Sequence, residues 1–134
     1  NLTATENVAL PLMFRGVAKE EREKAARAML AAVGLPNRLD HFPSQMSGGQ
    51  QQRVGIARAF ITRPDVVFAD EPTGNLDSRT TVEVMEMICS FAHKYHQTII
   101  LVSHDPEMAS YADRIVTLRD GEIIGDERKD KESA

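Results

Sequence analysis

Cysteine, long apolar runs and excess positive charge are all scarce in this 134-residue chain, and each scarcity excludes a class of protein. Cys89 is the only cysteine, so no internal disulfide can form, and a reducing, cytosolic setting is expected rather than a secreted one. No secretory leader is recognisable and no apolar run is long enough to span a bilayer, so membrane association would need a partner. The 16 Lys and Arg residues are outnumbered by 20 Asp and Glu residues, which argues against binding nucleic acid through bulk charge.

The composition is that of one soluble globular domain. With 42% apolar and 27% charged residues, the chain resembles neither a disordered polyampholyte nor a fibre. A chain of this length buries roughly two-thirds of the surface that its unfolded form exposes, which is enough for one core. Its first residue is Asn1 rather than Met, and a helix start follows at once. We therefore expect the chain to begin inside a longer protein.

The first half of the sequence predicts helices. Thr3 and Glu6 fit a capping box, and Gly34 stands where a glycine commonly ends a helix. Ser47-Gly48-Gly49 opens a further helix, which must end before Pro64. The predicted helical spans are residues 4–14, 19–33 and 50–62, with irregular chain over residues 35–46.

The second half predicts part of an α/β sheet. Residues 66–69 form an apolar run without polar alternation, which is typical of a strand covered on both faces. A helical stretch over residues 78–94 and a second apolar run, residues 98–102, complete a right-handed crossover with two parallel strands. A short helix near residues 107–111 precedes a hairpin turn at Asp120-Gly121, and the last residues, 128–134, read as a charged, solvated tail.

Ionisable residues follow both predicted strands. Asp70-Glu71 follows the first strand and Ser103-His104-Asp105 the second, and ligands of parallel sheets bind outside the carboxyl ends of strands. Asp70 could hold Mg²⁺ through its waters, while Glu71 could orient or deprotonate an attacking water. Alternatively, the acidic pair merely caps a strand end, and His104 is a structural or solvent-facing residue.

Ser47-Gly48-Gly49-Gln50 has the features of a phosphate-binding helix start. Two glycines let backbone N–H groups approach an anion closely, the serine hydroxyl adds a donor, and the helix dipole favours negative charge. The alternative is a plain serine N-cap followed by a flexible joint.

Two further patterns favour simpler explanations. His93 and His96 stand three residues apart, but without a third ligand at metal spacing a surface pair is the better interpretation. The glutamine run before Arg53 could lie in a DNA groove, but the acidic balance and the lack of a clustered basic face argue against it.

The motifs in order resemble the second half of an ATP-binding-cassette (ABC) ATPase. Met46 to Gln50 resembles the family's signature motif LSGGQ, with Met in place of Leu, and Val66 to Asp70 resembles its Walker B strand. Asn75-Leu76-Asp77 resembles the D-loop. The resemblance extends from about Leu2 to Gly125 and is closest to the branch of lipoprotein-release, macrolide-export and cell-division ATPases.

The resemblance implies roles for individual residues. In the family, two nucleotide-binding domains close head to tail around two ATP molecules, so the signature motif serves the partner's ATP. Glu71 and His104 would be catalytic, acting on water and on the γ-phosphate, and Asp70 would hold Mg²⁺. The nucleotide-binding interface would comprise Ser47, Gly48, Gly49, Gln50 and Asp77.

The family's phosphate-binding loop, G-x-x-x-x-G-K-[ST], is absent from these 134 residues because no glycine is followed by lysine. The expected fold class is therefore an incomplete α/β P-loop NTPase core with parallel strands, preceded by a helical subdomain. The implied division is a helical subdomain over residues 1–62, a core part over 63–127 and a tail over 128–134. The chain alone is expected to be inactive toward ATP.

The resemblance also implies partners: a second nucleotide-binding domain and a membrane permease, with the protein cytoplasmic at the inner face of the membrane and no nucleic acid bound. The truncated chain is expected to self-associate through its uncovered sheet. Two alternatives stay open, a non-hydrolysing regulatory or dimerisation cassette and an ABC ATPase acting on DNA or ribosomes. Intact Glu71 and His104 count against the first, and the lack of coiled coils, zinc modules or duplicated cassettes counts against the second.

Overall fold

The structure, a computed structural model, describes residues 1–129, so residues 130–134 of the predicted tail lie outside the described residues. The chain divides into two compact units, Asn1–Val102 and Ser103–Ala134. The boundary predicted near residue 62 stays a prediction.

The first unit begins with three helices, α1 (Ala4–Phe14), α2 (Lys19–Ala32) and α3 (Gly48–Phe60), each close to its predicted span. The predicted capping box is present, since the Glu6 N–H donates to Thr3 Oγ1 at 3.2 Å and the Thr3 N–H donates to Glu6 Oε1 at 3.1 Å. A 3-10 turn, Pro43–Gln45, interrupts the irregular connection between α2 and α3. Side-chain capping therefore marks the start of α1, whereas α2 begins after Ala18 without a side-chain cap.

The core of this unit lies where α1 and α2 pack on α3. Leu30 and Val33 are fully buried, and Phe60 is 1% exposed. Burying one such side chain contributes about 1.5–3 kcal/mol, so these contacts stabilise the helical arrangement more than helix propensity does.

Two parallel strands follow, β1 (Val66–Asp70) and β2 (Thr98–Val102), joined by helix α4 (Ser78–Lys94). Their register pairs Val67 with Ile99 and Asp70 with Val102, which confirms the predicted parallel pairing of the two strands. The prediction that β1 is covered on both faces is wrong for the described residues. Val67 is 8% exposed, whereas Phe68 is 74% exposed, because successive side chains point to opposite faces and only one face is covered.

The second unit contains a 3-10 helix, Pro106–Tyr111, and an antiparallel hairpin of β3 (Arg114–Arg119) and β4 (Glu122–Arg128). The hairpin turn is the predicted one, with Asp120 at φ 50° and Gly121 at φ 78°. Both positive φ values are those that the tightest hairpin turns require. Arg114 holds Asp126 across the strands through two hydrogen bonds of 2.9 and 2.6 Å.

Candidate functional site

Helices α3 and α4 lie side by side and run in the same direction. Gly49 near the start of α3 lies against Thr80 near the start of α4, and further along both helices Phe60 stacks on Phe91 with ring centroids 5.3 Å apart. The amino-terminal ends of both helices therefore lie together. Each end carries N–H groups that have no backbone partner within the helix, together with the positive end of a helix dipole, so their shared surroundings favour an anion.

These two helix ends open on one cleft of about 450 Å³. It brings together the signature residues Ser47–Gln50 and the D-loop residues Asn75–Asp77, which are far apart in the sequence. The other lining residues are Gly34, Leu35, Arg53, Thr80 and Glu83.

Ser47 is the N-cap of α3. Its Oγ accepts from the Gln50 N–H at 3.1 Å, and Gln50 Oε1 accepts from the Ser47 N–H at 3.0 Å, so the Gln50 side chain is engaged in a local capping box. The N-cap interpretation is thus confirmed, and it is compatible with phosphate binding because a hydroxyl that accepts one bond can still donate its own proton. Met46, which directly precedes Ser47, is buried, with 8% of its surface exposed.

The two signature glycines pack against the D-loop and the start of α4. A Cβ on Gly48 would lie 3.6 Å from Leu76 Cδ2, an ordinary contact. A Cβ on Gly49 would lie 2.7 Å from Thr80 Cγ2, which is closer than real Cβ contacts. Glycine at position 49 therefore lets the two helix ends approach each other.

Asp77 is the N-cap of α4, and its Oδ1 accepts from the Thr80 N–H at 2.8 Å. The pKa of Asp77 lies below its ordinary value, because the backbone N–H and then the hydroxyl of Thr80 stabilise the charged carboxylate. This negative charge offsets the dipole of α4. The first turn of α3 has a neutral serine cap and no acidic residue, so an incoming anion is favoured there.

Glu71 directly follows β1 in an unusual backbone conformation. Its φ is 45°, in the left-handed region, and its N–H donates to the Val102 carbonyl at 2.8 Å. For a residue other than glycine this conformation costs roughly 1–2 kcal/mol, and such strain concentrates at functional sites. From there two turns, closed by Gly74 N–H to Glu71 O and Leu76 N–H to Thr73 O, both at 3.2 Å, lead the chain to Asp77.

Asp70 presents an exposed carboxylate at the end of β1. Within residues 1–129 the structure brings together no group of three or more His, Cys, Asp or Glu side chains that could hold a metal ion. Mg²⁺ is usually held by one or two carboxylates together with waters and phosphates, and a single carboxylate such as Asp70 fits that requirement.

His104 belongs to the second unit and is exposed. It lies between Ser103, whose Oγ accepts from the Asp105 N–H at 3.0 Å, and Asp105, which caps the following 3-10 helix by accepting from the Glu107 N–H at 2.9 Å. The pairing of His104 with Glu71 at one sheet edge stays a prediction.

No pattern in the sequence pointed to a role in the cleft for three of its lining residues, Arg53, Thr80 and Glu83. Their significance depends on contacts between residues about thirty positions apart, such as Arg53 with Glu83. Only the folded arrangement of α3 and α4 reveals them.

Comparisons with known proteins agree with this arrangement. The family model described as "ABC transporter" matches residues 1–74. The chain is 49% identical over 126 residues to the macrolide export ATP-binding/permease protein MacB of Pasteurella multocida, covering 94% of this chain and 19% of that protein. It is 52% identical over 123 residues to the uncharacterized ABC transporter ATP-binding protein MJ1508 of Methanocaldococcus jannaschii, covering 92% of this chain and 54% of that protein.

A solved structure also has this fold. It is the dimeric, post-hydrolysis state of the ATP-binding cassette MJ0796 bound to ADP and Pi, which matches with a TM-score of 0.81 at 41% identity. The match covers 95% of this chain and 56% of that one. The present chain thus spans about a fifth of the MacB relative and just over half of the other two proteins. From its motifs, its α/β fold and these matches, the chain belongs to the ABC transporter family as part of an ATP-binding cassette.

Proposed function

We propose that this chain is the signature-motif half of an ABC ATPase that, in a longer parent protein, binds and hydrolyses ATP to drive a membrane permease of the export or lipoprotein-release type. The parent protein is the one in which the chain is joined to a phosphate-binding loop. The observation that carries the proposal is the shared cleft. The amino-terminal ends of the parallel helices α3 and α4 open onto this cleft, and Ser47 and Asp77 cap them.

The α3 end of this cleft would bind the terminal phosphates of an ATP molecule. The Ser47 hydroxyl would donate to a phosphate oxygen while its Oγ continues to accept from Gln50. The exposed Gly48 backbone and the dipole of α3 would add favourable interactions with negative charge. Because no phosphate-binding loop lies within these 134 residues, the bound ATP would be held from the other side by a second domain.

Asp70 and Glu71 would act on a different nucleotide, the one held by the parent's own phosphate-binding loop. Asp70 would hold Mg²⁺, which when bound neutralises charge on the phosphates. Glu71 would accept a proton from the attacking water, and His104 would donate a hydrogen bond to the γ-phosphate. The strained backbone of Glu71 supports an active rather than a vestigial residue, since strain is retained where geometry matters.

Two copies of the cassette are required, because the signature motif of one copy acts on a different nucleotide from its Asp70 and Glu71. Each cassette would supply Ser47, Gly48, Gly49 and Gln50 to its partner's ATP, with Asp77 at the seam between the two sites. The related cassette MJ0796 forms a dimer, which supports the assembly of two copies. MacB joins an ATP-binding part to a permease, which supports a location at the inner face of the membrane. Among residues 1–129, no helix combines the length and the apolar character needed to cross a bilayer.

The test compares phosphate release by the parent protein with that of its Ser47→Arg variant. We expect release by the parent and a large loss in the variant, because a long cation would fill the phosphate position at the start of α3. Ser44→Arg is the matched control, since Ser44 is exposed and does not line the cleft. A parent protein without ATP hydrolysis, or equal losses in both variants, would refute the proposal.

A further inference from the structure

Arg53 on α3 connects three elements beside the cleft. Its Nη2 donates to Glu83 Oε2 on α4 at 3.1 Å, and its Nη1 donates to the Val33 carbonyl at the end of α2 at 3.2 Å. Gly34 passes so close that a Cβ there would lie 2.9 Å from Arg53 Nη1. The Arg53 side chain is 23% exposed, so its interactions are only partly screened by solvent.

The Arg53–Glu83 ion pair lies next to the closest contact between the two helix ends. Gly49 and Arg53 are four residues apart on α3, and Thr80 and Glu83 are three apart on α4, so each pair of residues shares one helix face. The Gly49–Thr80 contact and the Arg53–Glu83 contact therefore succeed one another along the same α3–α4 interface. Loss of the Arg53–Glu83 contact would therefore alter the neighbouring Gly49–Thr80 contact.

Glu83 also forms an ion pair with a second arginine, Arg79, and the two arginines differ in exposure and in the elements that they connect. Arg79 approaches Glu83 Oε1 at 3.5 Å, but its side chain is 92% exposed and it belongs to the same helix as Glu83. Exposed ion pairs within one helix contribute little and connect no second element. Arg53 and Arg79 both pair with the Glu83 carboxylate, but only Arg53 connects two helices. Substitution of Arg79 is therefore the matched control for substitution of Arg53.

We propose that Arg53 and Glu83 are positioning residues, whose ion pair fixes the spacing between the signature turn Ser47–Gln50 and the D-loop Asn75–Asp77. The inference rests on the proposed function, because it assigns that spacing a role in binding the nucleotide. Arginine is suited to this role because its planar group can bond a carboxylate and a backbone carbonyl at once, whereas lysine presents a single point charge.

The first test measures how much ATP the parent protein needs to form its dimer. In a Glu71→Gln background, which should slow hydrolysis, light scattering gives the ATP concentration for half-maximal dimer formation. We expect Arg53→Gln, Arg53→Lys and Glu83→Gln each to raise that concentration by about threefold or more. Arg79→Gln should leave it unchanged, and the double variant of Arg53→Gln and Glu83→Gln should be no worse than Arg53→Gln alone.

General destabilisation is tested separately. Ile56 is buried in α3 but is not part of the ion pair, so Ile56→Val lowers stability without removing a cleft contact. We expect Ile56→Val to lower the thermal midpoint while the ATP requirement for dimer formation stays the same. An equal shift of the ATP requirement in Ile56→Val or in Arg79→Gln would overturn the positioning role.

A second test does not need ATP and so separates the two proposals. Amide hydrogen exchange at Gln50 and Thr80 reports on the capping bonds that hold the two helix ends. Arg53→Gln and Glu83→Gln should speed exchange at both amides several-fold relative to Arg79→Gln. Unchanged exchange would overturn the positioning role, whereas faster exchange without any ATP-dependent dimer would leave positioning intact and refute the proposed function.

Discussion

Gly49 of α3 and Thr80 of α4 touch so closely that a Cβ at position 49 would lie 2.7 Å from Thr80 Cγ2. This contact lies where the signature turn meets the D-loop and the start of α4. Because the two helices run in the same direction, it also places two helix amino-terminal ends side by side, and the repulsion between their positive ends is offset in part by the Asp77 carboxylate. The absence of a side chain at position 49 is therefore a packing requirement as well as a means of exposing backbone N–H groups.

The Gly49–Thr80 contact predicts a mutation with a specific rescue. Gly49→Ala should destabilise the chain by about 1–3 kcal/mol through overpacking. Thr80→Ser removes the Cγ2 atom that the new methyl group meets, so the double variant should recover most of the loss. Denaturant unfolding measures each value.

Gly55→Ala is the control for that prediction. Gly55 lies in the same helix, and no atom lies within 4 Å of its added Cβ, so this change should stabilise by about 0.5–1 kcal/mol through helix propensity. Equal effects of alanine at positions 49 and 55 would show that the close contact has no energetic consequence.

The backbone conformation of Glu71 predicts that glycine is better tolerated there than alanine. Both Glu71→Gly and Glu71→Ala remove the carboxylate, but only glycine adopts φ 45° without strain. The glycine variant should be more stable than the alanine variant by about 1 kcal/mol in denaturant unfolding. Neither variant should support hydrolysis in the parent protein. If alanine were equally stable, the left-handed conformation would not be a source of strain.

The lowered pKa of Asp77 predicts a pH-dependent contribution to stability. A carboxyl group whose pKa is lower in the folded than in the unfolded state stabilises the fold above its unfolded pKa, about 3.9, and this contribution is lost as pH falls through the folded pKa. Asp77→Asn keeps a capping oxygen but cannot ionise. The stability difference between the original chain and Asp77→Asn should therefore be present at neutral pH and narrow below about pH 4. A difference independent of pH would exclude a role for the charge.

The bare sheet face predicts self-association of the 134-residue chain. Four apolar side chains are exposed on β1 and β2, namely Val66, Phe68, Ile100 and Val102. The two strands form a two-stranded sheet, so both of its outer edges lack a paired strand among the described residues. We expect light scattering to show a dimer or larger species, with a second copy covering this face. The Phe68→Lys variant should shift the equilibrium between monomer and larger species toward monomer. Phe14→Lys is the control, because Phe14 is 76% exposed but lies on α1, and an equal effect of both changes would contradict the prediction.

Features determined by neighbouring residues were predictable from the sequence. The capping pair of Thr3 with Glu6 and the turn Ser47-Gly48-Gly49 located two helix starts, and Asp120-Gly121 located the hairpin turn. Such features depend on residues within one turn of each other, so their chemistry is visible in a short stretch of sequence. The motif order, in turn, sufficed to identify the family.

Features determined by distant residues were not predictable. The Arg53–Glu83 ion pair joins residues thirty positions apart, and no local pattern indicates it. The apolar run of β1 predicted cover on both faces, but cover depends on which other strands and helices are present. The left-handed backbone conformation of Glu71 was also not predictable from the sequence, because glutamate disfavours it and only the surrounding turn enforces it.

Under the proposed function, Glu71 activates water for ATP hydrolysis at a site completed by the signature motif of a second copy. The measurement that tests it most directly is phosphate release and ATP-dependent dimer formation by the parent protein carrying Glu71→Gln. The amide keeps the shape of the side chain but cannot accept the proton, so we predict loss of most phosphate release together with a stable dimer that retains ATP. Phosphate release at the rate of the unmodified parent would contradict the account.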